Sequence, residues 1–213
     1  PNFVYASKRP VLDTNYFETF NRDNVTLVDI RDNGIERFTE TGIRANGINH
    51  EVDCVIFATG FDALTGTLNK MEIRGRGGRL LKDKWAEGPK AYLGLCAEGF
   101  PNMYVITGPG SPSVLTNMMV AIEQHVNFVA DTLVHMRDNE QTRIEAKLEA
   151  EEPWVAHVSE LGHTTLFTAG ANWYFGDNIP GKPRVFLPHV DWVGYVEKCE
   201  DVVDKNYDGF SLA

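Results

Sequence analysis

The sequence feature that most constrains the fold is a long apolar stripe with helical spacing between residues 115 and 136. Its apolar positions recur every three or four residues, the period of one face of an α-helix. They are Leu115, Met118, Ile122, Val126, Val129, Leu133 and Met136. Ser111 and Pro112 come directly before the stripe and suit the N-cap and the first helical position. The pattern therefore predicts a helix of about seven turns.

Two apolar runs predict strands that end in small residues. The run 52–58 is almost entirely apolar and β-branched, as expected for a strand buried on both faces of a layered α/β fold. It stops at residues 59–62, and a second run, 103–107, stops at the glycine-rich residues 108–113 before the long helix. Carboxyl ends of parallel strands share one edge of a sheet, where α/β folds bind cofactors. These turns, and the partly positive N-terminus of the helix, are therefore candidate binding elements.

The remaining pattern predicts short strands and helices around these elements. A small antiparallel meander is predicted from residues 25–29, 35–38 and 42–44, and a further strand from 184–187. Helices are predicted at residues 13–20, 146–162 and 194–205.

Composition excludes several classes of protein. The chain has 20 Lys and Arg against 30 Asp and Glu, a net charge of −10, which argues against nucleic acid or an anionic membrane as the main partner. No apolar run approaches the roughly 18 residues that span a bilayer. Cys54, Cys96 and Cys199 form neither a metal knuckle nor an even disulfide framework, so we expect a reducing, cytoplasmic setting. The six histidines have no paired spacing, so no metal site is predicted.

Each local signal has a structural and a functional interpretation. The glycine turns can be simple turns or ligand contacts, and the adjacent Lys8 and Arg9 can be solvated or can bind a phosphate or a developing anion. Trp173 lies in an aromatic cluster between glycines, which is typical of a core but also suits a flat ligand. The basic stretch 74–79 is predicted to be a solvated loop, since no strand leads directly into it and no helix follows.

Taken together, these residues resemble a known family. The sequence is similar to the C-terminal part of the Baeyer–Villiger monooxygenases of the cyclohexanone and phenylacetone monooxygenase type. The matching motifs run from residue 8 to the end of the chain: residues 8–10 (KRP), 21–25 (NRDNV), 58–63 (ATGFDA), 108–113 (GPGSPS), 122–126 (IEQHV), 172–174 (NWY), 180–184 (PGKPR) and 207–210 (YDGF).

The resemblance implies an α/β fold and a redox activity. Such enzymes use FAD, NADPH and O2 to insert one oxygen atom into a ketone, giving an ester or lactone by way of a flavin peroxide. By the same resemblance Arg9 is the active-site arginine, which stabilises the negative peroxide and the oxyanion formed from the ketone. A fixed guanidinium in a dry pocket suits that role.

The resemblance also assigns binding residues. Lys8 would meet the 2′-phosphate of NADPH, and Trp173 would pack on the nicotinamide side. The residues implied to border the flavin are Thr59, Gly60, Asp62 and Met118. Those implied to line the ketone pocket are Ser113, Val114, Leu115 and Leu187.

The chain also departs from the family pattern. The family carries two GxGxxG fingerprints and an FxGxxxHxxxW signature, and none of these occurs here. We therefore expect residues 1–52 to be the C-terminal part of an NADP-binding domain with its linker, and 53–213 the C-terminal part of an FAD-binding domain. Because the chain opens on Pro1 instead of Met, we expect that it was processed or is a piece of a longer protein. The missing partner would be the N-terminal region with the glycine-rich fingerprints, and the isolated chain should be inactive.

Two alternatives stay open. One is a related flavin monooxygenase that oxidises nitrogen or sulfur. The other is a truncated, non-catalytic dinucleotide-binding or interaction module. The sequence does not indicate which ketone would be used.

Overall fold

The computed structural model describes residues 3–5 and 7–213 and separates the chain into two compact units. The smaller unit is Arg9–Gly60, and the larger unit is Phe61–Ala213 with the N-terminal residues up to Lys8. The division between residues 52 and 53 predicted above refers to the domains of the family, and it stays a prediction.

The smaller unit is built on a three-stranded antiparallel meander with β2 in the middle. Its strands are β1 (Ile35–Thr39), β2 (Gly42–Ala45) and β3 (Ile48–Glu51). The predicted first strand, 25–29, is wrong, because that segment has no strand assignment and β3 supplies the third strand instead. Asn46 and Gly47 both have positive φ, 51° and 76°, and form the tight Asn-Gly turn between β2 and β3. An Asn-Gly dipeptide is a typical hairpin signal, and the sequence analysis missed it.

A single helical turn precedes the meander. Helix α1 (Tyr16–Thr19) starts where the Asp13 carboxylate accepts a hydrogen bond from the Tyr16 N–H at 2.7 Å. The predicted helix is confirmed in place, although it is only four residues long. Its aromatic rings contact one another and stay exposed, so α1 contributes no buried side chain.

The apolar run 52–58 is not a strand. Within the part of the chain that the structure describes, no strand pairs with it, and Ile56 and Phe57 are 85% and 68% exposed. The prediction of a strand buried on both faces is therefore wrong for this unit. A β-strand needs a neighbour that takes up its backbone hydrogen bonds, and apolar composition alone does not supply one.

The larger unit contains a large aromatic-rich core and a smaller cluster built on Leu81, Trp85, Ala97 and Phe100. Its elements are α2 (Gly66–Lys70), α3 (Leu81–Lys84), α4 (Met118–Asp138), β4 (Ile144–Ala146), α5 (Leu148–His163), α6 (Trp192–Asp204) and β5 (Phe210–Leu212). Strands β4 and β5 pair antiparallel, with Ile144 opposite Leu212, and neither was predicted. The predicted helices at 146–162 and 194–205 are confirmed as α5 and α6. The core contains the rings of Tyr92, Phe128, Trp154, Tyr174, Phe175, Phe186, Tyr195, Tyr207 and Phe210.

The long helix α4 is confirmed, but its start and its buried face differ from the prediction. It begins at Met118, where Asn117 caps it by accepting a hydrogen bond from the Met119 N–H at 3.0 Å. Residues 113–115 form a separate short 3₁₀ helix, because Thr116 is extended and interrupts the helix. The fully buried positions are Ala121, His125, Phe128, Thr132 and Met136. Two polar side chains with internal hydrogen bonds thus occupy a face that hydrophobicity alone did not find.

The predicted strands 103–107 and 184–187 are also wrong. The Val105 N–H donates to the Leu95 carbonyl at 2.8 Å, and the Leu187 N–H donates to the Tyr174 carbonyl at 2.9 Å. These two backbone hydrogen bonds are made to segments outside the strands and are not part of a β-sheet. Both sheets of the described residues are antiparallel, so those residues do not form the predicted parallel-sheet edge.

The basic stretch 74–79 is exposed, as predicted, but a short 3₁₀ turn lies within it, the helix α3 follows it, contrary to expectation, and ion pairs anchor it. Arg76 contacts Glu145 at 2.8 Å and Glu98 at 3.3 Å. Beside it, Lys84 pairs with the fully buried Glu151 at 2.7 Å. The Lys84–Glu151 pair therefore links α3 to α5. Removing either partner would leave the other as a buried, unpaired charge, which is strongly destabilising.

The described residues hold no helix that is long and apolar enough to cross a membrane. Nor do they contain a group of three His, Cys, Asp or Glu side chains arranged to hold a metal ion. All three cysteines are free; Cys54 is exposed, and Cys96 and Cys199 are buried.

Candidate functional site

The larger unit contains most of the predicted site residues. Asp62 lies before α2, and residues 113–118 lead into α4. Trp173 lies in the loop after α5, and Leu187 precedes α6. Lys8 belongs to this unit as well. The remaining predicted residues, Arg9, Thr59 and Gly60, belong to the smaller unit.

Backbone hydrogen bonds join three of these segments. The Gly110 N–H donates to the Leu187 carbonyl at 2.6 Å, and the Leu187 N–H donates to the Tyr174 carbonyl at 2.9 Å. Leu187 therefore bridges the glycine-rich turn and the loop that carries Trp173. The turn is closed on itself by Ser111, whose hydroxyl donates to the Gly108 carbonyl at 2.7 Å.

The residues implied to line the ketone pocket follow this turn. Ser113 is fully buried with a positive φ of 44°, and its Oγ has no hydrogen-bond partner. Val114 and Leu115 are half-buried and pack on the aromatic core, whereas Met118 is exposed. A buried hydroxyl without a partner is costly unless a ligand or water satisfies it. The segment thus offers one polar contact beside apolar side chains.

A buried histidine fixes the backbone just before the turn. The Thr107 N–H donates to His125 Nδ1 at 3.0 Å, so Nε2 carries the ring proton and donates to the Tyr195 hydroxyl at 2.9 Å. The Tyr195 hydroxyl in turn donates to the Leu93 carbonyl at 2.9 Å. Burial lowers the pKa of His125 to about 4. His125 is fully buried and orients the strained Thr107, whose φ is 55°.

Asn172 organises the loop that carries Trp173. Its side-chain amide donates to the Phe167 carbonyl at 2.6 Å, and its Oδ1 accepts from the Tyr174 N–H at 3.0 Å. Its own N–H donates to Asp177 at 3.0 Å, and Asp177 pairs with Arg184 at 3.1 Å. Asn172 is only 5% exposed, while Trp173 is half-buried against the core. Sequence analysis noted Asn172 in a motif and missed this bracing role.

Asp62 is held by the end of the same loop. Its carboxylate forms an ion pair with Lys182, which also donates to the Ala63 carbonyl at 3.3 Å. The Asn178 side chain donates to the Phe61 carbonyl at 2.9 Å. Sequence analysis assigned no role to Lys182, although it lies in one of the matching motifs. The structure thus brings the predicted flavin-side Asp62 and the loop of Trp173 into one connected region.

The structure leaves the other predicted residues exposed. The Lys8 ammonium lies 4.8 Å from the centre of the Phe3 ring, and Arg9 is exposed within the smaller unit. Thr59 and Gly60 are exposed too. Gly60 has a φ of 83°, which an L-residue adopts only at a cost, so a glycine is favoured there by conformation. The roles implied for these residues stay predictions.

The described residues fit part of a flavin and nicotinamide site. Ser113 provides the buried hydroxyl without a partner, and Met118–Val120 expose apolar side chains at the N-terminus of α4. The N–H groups of that first turn favour an electron-rich ligand edge. The sequence holds no GxGxxG turn for a dinucleotide pyrophosphate. The sequence thus lacks the phosphate cradles, and the ring-binding roles of these residues stay predictions.

Comparison with known proteins identifies the relatives of this chain. No family model matches it. It is 42% identical to the acetone monooxygenase (methyl acetate-forming) of Gordonia sp. (strain TY-5), over 100% of the chain and 40% of that protein. It is 44% identical to a Baeyer–Villiger monooxygenase of Pseudooceanicola batsensis, over 97% of the chain and 38% of that protein. A phenazine N-monooxygenase of Lysobacter antibioticus is 40% identical, over 100% of the chain and 39% of that protein.

Solved structures give the same result. Cyclohexanone monooxygenase from Rhodococcus sp. Phi1, bound to NADP+, superposes with a TM-score of 0.91 at 40% identity. The match covers 97% of this chain and 39% of that one. The complex of OTEMO with FAD and NADP superposes with a TM-score of 0.89 at 40% identity, covering 97% of this chain and 38% of that one.

These matches show the class of protein to which the chain is related. Its fold is that of part of an FAD- and NADP-binding monooxygenase. More narrowly, it is homologous over its whole length to Baeyer–Villiger monooxygenases and spans about 40% of the length of its curated relatives. The resemblance and the fold class predicted from the sequence are confirmed, and the predicted cofactors are those held by the OTEMO structure. The site residues themselves stay predictions.

Proposed function

We propose that this chain acts as the C-terminal part of a Baeyer–Villiger monooxygenase that uses FAD, NADPH and O2 to convert a ketone into an ester or lactone. The observation that carries the proposal is the match of the whole chain to such enzymes, one of which forms methyl acetate. Because the chain spans about 40% of that relative, the proposal includes a partner region with the glycine-rich fingerprints. In this view the isolated 213-residue chain neither holds FAD tightly nor turns over.

The cations of the N-terminal segment have distinct proposed roles. Bound FAD supplies the reduction and activation of O2, which protein side chains do not provide. Arg9 stabilises the negative charge that develops on oxygen when the ketone carbonyl is attacked, since a guanidinium is charged at all relevant pH values. Lys8 binds the 2′-phosphate of NADPH as a point charge.

The other predicted residues shape the two binding surfaces. Trp173 packs on the nicotinamide side, and its orientation is supported by the bracing of Asn172. The flavin is bordered by Thr59, Gly60, Asp62 and Met118. The ketone is bordered by Ser113, Val114, Leu115 and Leu187. This last set is supported by the backbone hydrogen bond between Gly110 and Leu187 and by the Ser113 hydroxyl that has no partner.

The substitution Arg9→Ala tests the proposal when it is made in the natural polypeptide, meaning this chain together with the proposed partner region that carries the glycine-rich fingerprints. Stopped-flow absorbance should show flavin reduction by NADPH within about twofold of wild type, while ester formation falls by about 100-fold or more, the usual effect of removing an oxyanion donor. Arg37→Ala, at an exposed position of β1, is the matched control and should retain both steps. Loss of flavin reduction with oxygenation preserved would contradict the role of Arg9.

A second reaction within the class is oxidation of nitrogen or sulfur. It is favoured by one observation, the 40% identity with a phenazine N-monooxygenase. Product analysis with a cyclic ketone, an aromatic amine and a thioether, each offered alone, separates the two. Exclusive N-oxide or sulfoxide formation would replace the ketone proposal.

The non-catalytic alternative is tested by the cofactor. If this chain were only a binding or interaction module, its natural polypeptide would show no NADPH-dependent oxygen consumption when reconstituted with FAD.

We place the protein in the cytoplasm on the basis of its three unpaired cysteines. The net charge of −10 argues against nucleic acid or an anionic membrane as partner.

A further inference from the structure

Two segments that belong to different cofactors in the proposed function are joined by one lysine. Lys182 lies at the end of the loop that carries Trp173, and its ammonium pairs with Asp62 and donates to the Ala63 carbonyl. Asn178, in the same loop, adds the hydrogen bond to the Phe61 carbonyl at 2.9 Å. The Lys182 side chain is 12% exposed and that of Asp62 is 32% exposed. An ion pair shielded to this extent is held more firmly than a surface pair.

The contact between the two segments depends on these polar bonds. A cavity of about 290 Å³ lies beside the ion pair and is lined from both sides, by Asp62 and Thr65 on one and by Ile179 and Lys182 on the other. The Thr65 hydroxyl is buried there without a partner. The Lys182 ion pair and the Asn178 hydrogen bond therefore connect the two segments beside a space that is not filled by apolar packing.

Both partners of the ion pair pack closely against their own segments. A Cβ at Gly176 would lie 3.0 Å from the Lys182 side chain, so the lysine stem packs directly on the turn after Trp173. On the other side, a Cβ at Gly66 would lie 2.4 Å from the Asp62 carboxyl carbon, so Asp62 sits against the start of α2. Close contacts thus run from the turn after Trp173 through Lys182 to Asp62 and the start of α2.

We propose that Lys182 is a positioning residue that couples the loop of Trp173 to residues 61–63, so that binding of NADP(H) at the loop orders the flavin side of the site. The proposal rests on the proposed function, in which Trp173 borders the nicotinamide and Asp62 the flavin. Coupling between two sites is reciprocal, so flavin occupancy raises the affinity for NADP(H) by the same factor. Typical coupling factors are about 5-fold to 150-fold.

Hydrogen–deuterium exchange on the natural polypeptide, reconstituted with FAD, tests the coupling. In wild type, NADP+ should slow exchange in residues 61–71 and 172–183 together. In Lys182→Met, which keeps the length of the side chain and removes its charge, NADP+ should slow exchange in 172–183 only. Lys205→Met is the matched control, because Lys205 forms an exposed ion pair with Asp201 at 2.6 Å, and it should behave as wild type.

Kinetics give a second readout that a purely structural role would not produce. We expect Lys182→Met to raise the KM for NADPH by about fivefold or more and to leave the unfolding midpoint within a few degrees of wild type. Lys182→Arg keeps the charge and should restore most of the NADPH affinity. The double variant Lys182→Asp with Asp62→Lys should restore coupled exchange, since it keeps an ion pair with reversed polarity.

The outcomes separate this coupling from the proposed function. A wild-type protein that binds NADP+ but slows exchange only in residues 172–183 would refute the coupling and leave the proposed function standing. A wild-type protein that binds neither FAD nor NADP+ would refute both. Equal losses of NADPH affinity in Lys182→Met and Lys205→Met would show a general effect of charge and would also overturn the assignment.

Discussion

Residues 52–60 and 103–113 carry the same sequence signal but have opposite environments. Each is an apolar run followed by small residues, and neither is a strand in the structure. The first run is exposed, with Ile56 at 85%, and a Cβ at Gly60 would meet nothing within 4 Å. The second is half-buried, with Ile106 at 37%, and its turn is enclosed, since a Cβ at Gly94 would lie 2.3 Å from the Ser111 nitrogen there.

The difference shows that partners distant in sequence decide what an apolar run becomes. The 103–113 segment is fixed by the Leu95 carbonyl, the His125 ring and the Leu187 carbonyl, which come from three separate parts of the larger unit. Residues 52–58 make fewer contacts: the Val52 N–H donates to the Thr41 carbonyl at 3.0 Å and the Phe57 ring lies 5.4 Å from that of Phe38, but Phe57 stays 68% exposed. Local composition thus specifies that a segment is apolar but not what covers it.

The largest expected effect is on the glycine next to the enclosed turn. Gly94→Ala places a methyl group against Ser111 at a residue with φ of 68°, so both strain and overpacking apply. We expect a loss of roughly 2–5 kcal/mol in the free energy of unfolding. Gly60→Ala has the same backbone problem without the clash and should cost about 1–2 kcal/mol. Guanidinium denaturation followed by circular dichroism measures both. Equal losses would mean that residues 59–60 are as enclosed as the turn.

The second-largest expected effect is a fall in the free energy of unfolding of the larger unit at acid pH. Burial lowers the pKa of both His125 and His189 from the ordinary 6.5 to about 4. Between these pH values the unfolded chain binds protons that the folded chain does not, so stability falls as pH drops from about 6.5 to about 4. Each histidine contributes up to roughly 3 kcal/mol to this loss. Tryptophan fluorescence during urea unfolding at several pH values reports it, because all four tryptophans lie in the larger unit.

One variant separates the contribution of His125, the histidine that accepts the Thr107 hydrogen bond, to the loss of stability in acid. His125→Gln removes one of the two buried titrating groups, so the slope of unfolding free energy against pH should fall to about half. His163→Gln, at an exposed position near the end of α5, is the control and should retain the wild-type slope. An unchanged slope in His125→Gln would show that the acid sensitivity arises elsewhere.

The sequence predicted the helices better than it predicted the strands, for a physical reason. A helix satisfies its own backbone, so the spacing in α4, α5 and α6 was sufficient to find them. The predicted strands failed because their hydrogen-bond partners are not encoded nearby. The resemblance named Asp62, Trp173 and Leu187 as candidate site residues, which stay predictions, but it gave no role to Lys182, which pairs with Asp62, or to Asn172, which braces the loop of Trp173. Ion pairs and buried hydrogen bonds between distant residues leave no periodic signal.

Thiol labelling compares the exposure of the two regions directly. Cys54 lies in the exposed run, whereas Cys96 and Cys199 are buried. Burial raises the pKa of the Cys96 thiol and raises that of Cys199 to about 11, so their reactive thiolates are scarce near neutral pH. In the native chain Cys54 should react with Ellman's reagent at least about 100-fold faster than the other two. Cys54→Ser should abolish the fast phase; a fast phase that survives this substitution would contradict the burial of Cys96 or Cys199.

The smallest expected effect is that of a polar substitution in the exposed run. Ile56→Thr changes a side chain that is already 85% exposed, so the free energy of unfolding should change by no more than about 0.5 kcal/mol. Val105→Thr is the matched change in the enclosed segment, where the half-buried side chain packs near Gly108, and it should cost about 1 kcal/mol or more. Denaturation of both variants in the 213-residue chain and in the natural polypeptide extends the comparison. If Ile56→Thr is neutral in the chain but destabilising in the natural polypeptide, the run is buried there by residues outside this chain. If it is destabilising in the chain itself, the run is already buried and the contrast between the two segments does not hold.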